Sequence, residues 1–562
     1  MRVLFDVVVP MRDDTALVAD IQLPDGPGPF PALLQRVPYD RGGPAIRDGA
    51  LDTVKAARHG YAVVTQDCRG RFGSAGEFTP FLAEADDGVD TVAWIRSQPW
   101  SDGKVGMFGR SYSAFVQWQA AACRPEGLLA IAPMFSGAEP VTDWFGCGRA
   151  LEWGFLVFWA LRHLAPDAVR RTGSDEAAAA VARIGGRIEA VLAESGEETA
   201  DVAAVRAALP WLDQWLDDAG REAAFDRIAE RTAPATATAV PALVIAGWYD
   251  LFLSGTLRAA APGAAERQLL VGPWPHGGGN PGVFPEIGFG PTSSGDAIGL
   301  TARQLAWFDR WLRPGGGQEP GAAATWFHRG DGWRTGDRWP PEDAATTTLY
   351  LGAGGALLPE APQSSRLRLP YDADRPVPTI GGATFLPGRE VAANAGPRDQ
   401  APLSGRPDVL AWLTDPLDEP LEVSGGVACD LEVDLACGTR LVARLVEAGP
   451  DGRLMLVADG GHACAGPGLV RIDLAPVGWT FPARSRVGLL LSATSSPRHR
   501  RWAADRPDAA SVRGAVTIMT GPASALRLGG PLAEAGACAP RLGGPLARSG
   551  RPGTDSPAKG HP

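Results

Sequence analysis

The stretch Gly106-Met107-Phe108-Gly109-Arg110-Ser111-Tyr112-Ser113-Ala114-Phe115 sets the tightest limit on what this chain can fold into. Val105 to Phe108 is a short apolar run that reads as a buried strand, Gly109 ends it, Ser111 follows at once, and a helical run starts at Ala114. Strand, sharp turn with a serine at its tip, then helix is the arrangement of a nucleophile elbow, which lifts a hydroxyl above a sheet edge where a histidine can reach it. A glycine two before the serine lets strand and helix approach closely. A Gly-x-Ser-x-Ser string alone is also the makeup of many surface turns. The reading therefore depends on whether the chain supplies a sheet, a base, an acid and an oxyanion hole.

The sheet is present in outline. Val3 to Val9, Val18 to Leu23, Pro31 to Arg36, Tyr61 to Gln66 and Leu128 to Met134 read as strands, and Ala85 to Arg96 as a helix. Short buried strands separated by helices imply a mostly parallel sheet covered on both faces. From about Ala138 the texture changes. Trp144, Phe145, Trp153, Phe155, Phe158 and Trp159 crowd a short span, and alanine-rich helical stretches follow it (Ser174 to Arg183, Ile188 to Ser195, Ala200 to Leu209). This predicts a helical cap inserted between sheet strands. Strands resume at Pro241 to Gly247 and Gln268 to Gly272, followed by an aromatic-rich helix from Thr301 to Leu312. Beyond about Thr346 the helix signal fades into strand-like runs separated by Gly, Pro and Asp turns, the texture of an antiparallel sandwich or jelly roll. The string Arg527-Leu528-Gly529-Gly530-Pro531-Leu532 recurs at Arg541 to Leu546, too short a repeat for a solenoid, and the chain after about Leu532 is expected to be a disordered tail.

Size and charge exclude several function classes. A chain of 562 residues exceeds what one core usually supports, so about three domains are expected. A net charge of −11 argues against nucleic acid or an anionic membrane as partner, since both select basic faces. No stretch approaches the ~20 apolar residues of a membrane span. The seven cysteines are scattered, with no C-x-x-C and no clustered histidines, so neither a zinc site nor a disulfide framework is expected. No metal and no cofactor is predicted, and a reducing cytoplasm is the expected compartment, because Asp6 interrupts the N-terminus before a signal core can form.

Three polar residues stand at the ends of buried runs: Ser111, Asp250 and His276. Their order, serine, acid, histidine, is that of the α/β-hydrolase arrangement. A serine hydroxyl needs a base within hydrogen-bond reach. A histidine takes that proton and returns it to the leaving group, and a buried carboxylate holds the imidazole in the correct tautomer. Of seven histidines, His276 alone lies in a Gly/Pro-rich loop just after a buried strand and downstream of both Ser111 and Asp250.

Here the chain resembles the cocaine esterase-like hydrolases, a branch of the α/β hydrolases related to the X-Pro dipeptidyl-peptidases and α-amino acid ester hydrolases. The residues that carry the likeness are Arg36-Val37-Pro38-Tyr39; Gln66-Asp67-Cys68-Arg69-Gly70-Arg71; Glu84, Asp87 and Gly88; Gly109-Arg110-Ser111-Tyr112; Gly247-Trp248-Tyr249-Asp250; Gly272-Pro273-Trp274-Pro275-His276; and Phe308-Asp309-Arg310-Trp311-Leu312. The resemblance implies an α/β fold class: an α/β-hydrolase domain at 1–140 and 241–345, a helical cap at 141–240, a C-terminal all-β jelly-roll domain at 346–532, and a tail at 533–562. It implies Ser111 as nucleophile, His276 as base and Asp250 as its orienter, with an oxyanion hole made by the Tyr39 hydroxyl and the Tyr112 backbone N–H. One departure stands close to the site: Ala114 replaces the glycine usual three after the serine.

Phe252, Trp144, Trp153, Phe155 and Trp159 are candidates for the wall of an acyl pocket between sheet and cap, though most of such rings belong to the cap core. An aromatic pocket would favour a bulky apolar acyl group. The expected activity is hydrolysis of a small-molecule carboxylic ester or amide through an acyl-enzyme, by a monomer or homodimer. The alternatives are an X-Pro dipeptidyl-peptidase-like or other aminopeptidase activity, acyl transfer to another alcohol, and a non-catalytic binding module on a hydrolase scaffold.

Overall fold

The computed structural model describes residues 1–43, 50–146, 150–194, 199–263, 265–277, 280–315, 321–386, 394–435, 439–500 and 513–532. The tail at 533–562 and the second copy of the short repeat lie outside the described residues.

Its organising element is a ten-stranded sheet. The strands are β1 (Arg2–Pro10), β2 (Ala16–Leu23), β3 (Phe30–Val37), β4 (Ala62–Asp67), β5 (Ser101–Arg110), β6 (Leu128–Met134), β7 (Ala242–Tyr249), β8 (Arg267–Pro275), and, after a short hairpin of β9 (Val283–Phe284) and β10 (Ile287–Gly288), β11 (Ala324–His328) and β12 (Gly332–Gly336). The order across the sheet is β1-β2-β4-β3-β5-β6-β7-β8-β11-β12. From β4 through β11 every neighbouring pair is parallel, and antiparallel pairing is confined to β1–β2–β4 and β11–β12 at the two sides. The central strands are buried because helices cover both faces, and their polar residues, such as Gln35 and Arg36 of β3 and Gln66 and Asp67 of β4, come toward their carboxyl ends. All six residues of β4 and all eight of β7 are buried.

Two details differ from the sequence expectation. β5 does not stop at Gly109: parallel pairing continues through Gly109 with Pro133 and Arg110 with Met134, so the turn begins one residue later, at Ser111. The run Ala324 to Gly336, which periodicity left unassigned, supplies the last two strands. Its pairing partner, β8, is brought there only by the tertiary fold.

Between β6 and β7 the chain is helical. It includes Trp153–Phe158, a wider π-type turn Trp159–Leu164, Ala165–Thr172, and a long helix Asp175–Ala193 bent where Arg187 leaves helical geometry. Fully buried Arg71 ties this segment to the sheet. It donates to Pro38 O at 2.6 Å and Leu164 O at 2.9 Å, and lies 3.6 Å from Asp167.

After Thr347 the fold is all-β. One antiparallel sheet is built around Leu421–Asp434, which pairs with Gly468–Phe481, Arg513–Thr520 and Ala525–Leu528. A second has the order Val409–Leu413, Arg486–Ser492, Thr439–Ala448, Leu454–Cys464. Arg527 and Leu528 of the first repeat copy fall in the closing strand. This β part is joined to the helical segment through Arg498, which pairs with Glu152 at 2.8 Å and with Asp459.

Candidate active site

The carboxyl ends of the parallel strands β3, β5, β7 and β8 lie along one edge of the sheet, and the chain leaves that edge at Tyr39, Ser111, Asp250 and His276. Ligands of open α/β sheets bind at this edge, because the loops there converge while the strands hold their roots fixed.

Ser111 sits at φ +59°, ψ −124°, a conformation that side chains avoid and that costs about 1–3 kcal/mol unless its surroundings impose it. Two features impose it here. The Ser111 N–H donates to Met134 O at 2.9 Å, and its carbonyl accepts from the N–H groups of Ala114 (2.8 Å) and Phe115 (3.0 Å) in the helix Tyr112–Ala122. Gly109, at φ +143°, makes room: a Cβ there would lie 2.5 Å from Ser113 Cβ. Ala114 is fully buried, and the turn holds with alanine in that place.

His276 bridges the other two polar residues. Its Nε2 is 3.0 Å from Ser111 Oγ and its Nδ1 is 2.8 Å from Asp250 Oδ2. Asp250 is buried, and its second oxygen accepts the Phe252 N–H at 2.5 Å. With one oxygen fixed by the backbone, the other is aimed at the imidazole. Aromatic edges restrict the ring further: Phe252 meets it at 5.0 Å and Phe385 at 4.9 Å between centroids, both T-shaped.

The Tyr39 hydroxyl accepts a hydrogen bond from Trp159 Nε1 at 2.8 Å. Its own proton is thereby left to donate elsewhere. Burial pushes the phenol up to about 12, against smaller opposing effects of Trp159 and Ser111, so it stays protonated at neutral pH. Tyr112 heads the helix, where backbone N–H groups have no intrahelical acceptor. Its side chain points away from that role. The Tyr112 hydroxyl donates to Glu84 at 2.9 Å and accepts the Phe81 N–H at 2.8 Å, inside the sheet–helix core. Glu84 pairs with buried Arg36 at 2.9 Å, and Arg36 Nε donates to Gln66 at 2.9 Å. The motif residues Arg36, Gln66, Glu84 and Tyr112 are thus one buried network behind the serine turn.

A cavity of about 610 Å³ opens beside Ser111 and His276. Its apolar wall comes from Tyr39, Phe72, Phe155, Trp159 and Phe385. Of the five aromatics expected as candidates for that wall, Phe155 and Trp159 line it and the other three are elsewhere. Phe252 and Trp144 stack on each other at 4.5 Å beneath the histidine, filling core space and not facing the cavity. Trp153 lies under the guanidinium groups of Arg221 and Arg500. Spacing along a helical segment marked the aromatic cluster but not which of its rings turn outward. Phe385 was missed altogether: it belongs to the β part, in a stretch with no periodicity to draw attention to it.

Comparison with known proteins bears on the family and the fold. Residues 13–278 match the family model "X-Pro dipeptidyl-peptidase (S15 family)", and residues 315–528 match "X-Pro dipeptidyl-peptidase C-terminal non-catalytic domain". The chain is 34% identical to the cocaine esterase of Rhodococcus sp. (strain MB1 Bresler), over 88% of this chain and 91% of that one. Among solved structures, an α-amino acid ester hydrolase superposes with a TM-score of 0.74 at 22% identity, covering 94% of this chain and 96% of that one. An aminopeptidase from a marine sediment Thaumarchaeota archaeon gives 0.72 at 22% identity, covering 93% and 96%. At that identity, the two structures speak for the fold.

Proposed function

The chain belongs to the cocaine esterase-like family of S15 serine hydrolases, and from that premise we propose that Ser111, His276 and Asp250 hydrolyse a carboxylic ester or amide of a small molecule through an acyl-enzyme. The unbroken hydrogen-bond chain from Asp250 through His276 to Ser111 Oγ carries the proposal.

In this reading Ser111 Oγ attacks the substrate carbonyl carbon while His276 Nε2 takes the hydroxyl proton. Asp250 steadies the imidazolium through Nδ1–H. The tetrahedral oxyanion forms against the Tyr39 hydroxyl and the Tyr112 N–H, each a donor of the kind that contributes about 3–4 kcal/mol to the transition state. Collapse breaks the ester C–O or amide C–N bond, and the leaving group departs with the proton from His276. A water molecule, deprotonated by the same imidazole, then attacks the acyl carbon and frees Ser111. Trp159 acts on this sequence through Tyr39, by occupying the phenol's acceptor side.

The aminopeptidase alternative needs an acid free to receive a substrate ammonium. Asp167 is the carboxylate among the described cavity-lining residues, and its oxygens are engaged by the Phe72 N–H and Arg170, with Arg71 close by. Acyl transfer to another alcohol uses the same residues and differs only in the final acceptor. The described cysteines Cys68, Cys123, Cys429 and Cys464 are free thiols, which supports a reducing compartment as the setting.

A fluorophosphonate probe tests the reading: labelling at Ser111, lost in His276→Ala, is expected. Labelling that ignores His276, or misses Ser111 in folded protein, refutes it. A panel of 4-nitrophenyl esters run against aminoacyl and X-Pro anilides, beside Ser111→Ala, assigns the bond cleaved.

A further inference from the structure

The cavity beside Ser111 also holds polar groups for which the mechanism above has no use. Arg110 is the last residue of β5 and the immediate neighbour of the serine. It lines the cavity, its Nη1 is buried without a hydrogen-bond partner, and its guanidinium makes no ion pair with a described residue. Burial pushes its pKa down, as expected for a cation removed from water, with Asp250 and Tyr39 acting in the opposite sense. Two further residues lining it carry a buried, unpartnered atom each, the acceptor Gln35 Oε1 and His163 Nε2. Arg162 and Arg170 stand at the exposed rim.

A buried polar atom left without a partner costs about 1–3 kcal/mol, and more when it is charged, so native structures keep one where a ligand or water completes it. Here three occur around one cavity. The charge balance is as unusual. The whole chain carries −11, yet among the described residues lining this cavity three arginines stand against one aspartate, and that aspartate pairs with Arg170, which leaves Arg110 and Arg162. A guanidinium presents a planar fork of N–H donors that matches a carboxylate, which a neutral carbonyl cannot satisfy as well. The alternative role for Arg110, a distant counter-charge to Asp250, would leave its Nη1 and the neighbouring His163 Nε2 without an explanation.

We propose that the substrate of this enzyme carries a carboxylate, and that Arg110 reads it as a specificity-determining residue. The apolar part of the ester or amide would lie against Phe155, Trp159 and Phe385, the carboxylate would meet the Arg110 fork, and the His163 Nε2–H would complete its shell. The inference rests on the assignment of Ser111 as nucleophile and adds the substrate class.

Two pairs of esters separate charge from shape and locate it on either side of the scissile bond. Mono-4-nitrophenyl terephthalate against 4-nitrophenyl 4-methylbenzoate places the carboxylate on the acyl group. 4-(Benzoyloxy)benzoate against 4-methylphenyl benzoate places it on the leaving group. After correction for intrinsic alkaline reactivity, one carboxylated ester is expected to show kcat/KM about ten-fold or more above its neutral counterpart, the size of one charge-assisted hydrogen-bond pair. That ratio is expected to fall toward unity in Arg110→Gln and to be kept in part by Arg110→Lys. No preference in either pair with the wild-type enzyme, or an unchanged ratio in Arg110→Gln, overturns the proposal. Where Arg110→Gln does not fold, His163→Leu takes its place: a lowered ratio supports the proposal and an unchanged one overturns it. Calorimetry on Ser111→Ala keeps the test independent of turnover. Benzoate is expected to bind and benzamide to bind at least about ten-fold more weakly. Equal binding rejects the anion site, even where absent fluorophosphonate labelling has separately rejected Ser111 as nucleophile.

Discussion

Tyr39, proposed as an oxyanion donor, illustrates how much of a side chain's behaviour is decided by one neighbour. Its hydroxyl is held on the acceptor side by Trp159 at 2.8 Å, so its proton has one direction left. Tyr39→Phe is expected to lower kcat by about 10²–10³-fold with a smaller effect on KM, the pattern of a donor used only in the transition state. Trp159→Phe, which frees the phenol to rotate, is expected to lose less, about ten-fold. With the phenol pushed up to about 12, no loss of rate on the alkaline side is expected from Tyr39 below roughly pH 10; a steady-state profile of wild type and Tyr39→Phe checks this. Tyr112→Phe is expected to separate from Tyr39→Phe in kind. It strips the partner from the Phe81 N–H and from Glu84, a cost of about 1–3 kcal/mol that a thermal melt reads, while kcat is largely kept. At this scale Ser111, Asp250 and His276 were legible in the sequence, because each closes an apolar run and their chemical types are few. Trp159 as partner of Tyr39 was not, because the contact joins a strand end to a helix more than a hundred residues away.

Among the elements, the helical segment over the site is the one whose anchoring can be tested. Arg71 reaches from the loop after β4 to the carbonyls of Pro38 and Leu164 and to Asp167, so one side chain ties the Tyr39 loop to the cap. Arg71→Met leaves the Pro38 and Leu164 carbonyls without their buried donor and takes one of two cations from beside Asp167, which is expected to cost about 1–3 kcal/mol. The expected observations are a lower melting temperature and faster proteolysis between Trp153 and Thr172. His163, in the same segment, is held neutral, its pKa pushed down to about 4 first by burial and then by Arg162 and His276. The unfolded chain takes up this proton near pH 6.5 and the native state does so only near 4. The stabilisation is therefore complete above pH 6.5 and is lost as pH falls through that window. Melts between pH 7 and 4.5 are expected to show a shallower decline for His163→Asn than for wild type. Helix and strand types in this region were readable from spacing, but the bend at Arg187 and the π-type turn at Trp159–Leu164 were not, since both answer to packing and not to local propensity.

For the whole molecule, the separation into sheet, cap and β part hides a shared wall. Phe385 comes from the β part, meets His276 at 4.9 Å and borders the cavity, while Arg498 clasps Glu152 of the cap and Asp459 of the β part. A chain ending at residue 345 is expected to lose the esterase activity and to expose an apolar face; size-exclusion chromatography and fluorophosphonate labelling of that fragment would read both losses. Composition and texture announced three kinds of segment, but nothing local to Thr384-Phe385-Leu386 announced that a distant sandwich finishes the substrate cavity.

That contribution of Phe385 bears on descent as well as on chemistry. A cavity whose walls are written in distant stretches of the gene cannot drift one stretch at a time. Exchange of the C-terminal half between relatives would carry substrate preference with it, even with every catalytic residue left in place. Surveys of recombinants, natural or made in the laboratory, should find new selectivities at the junction near residue 345 before they find them at the serine.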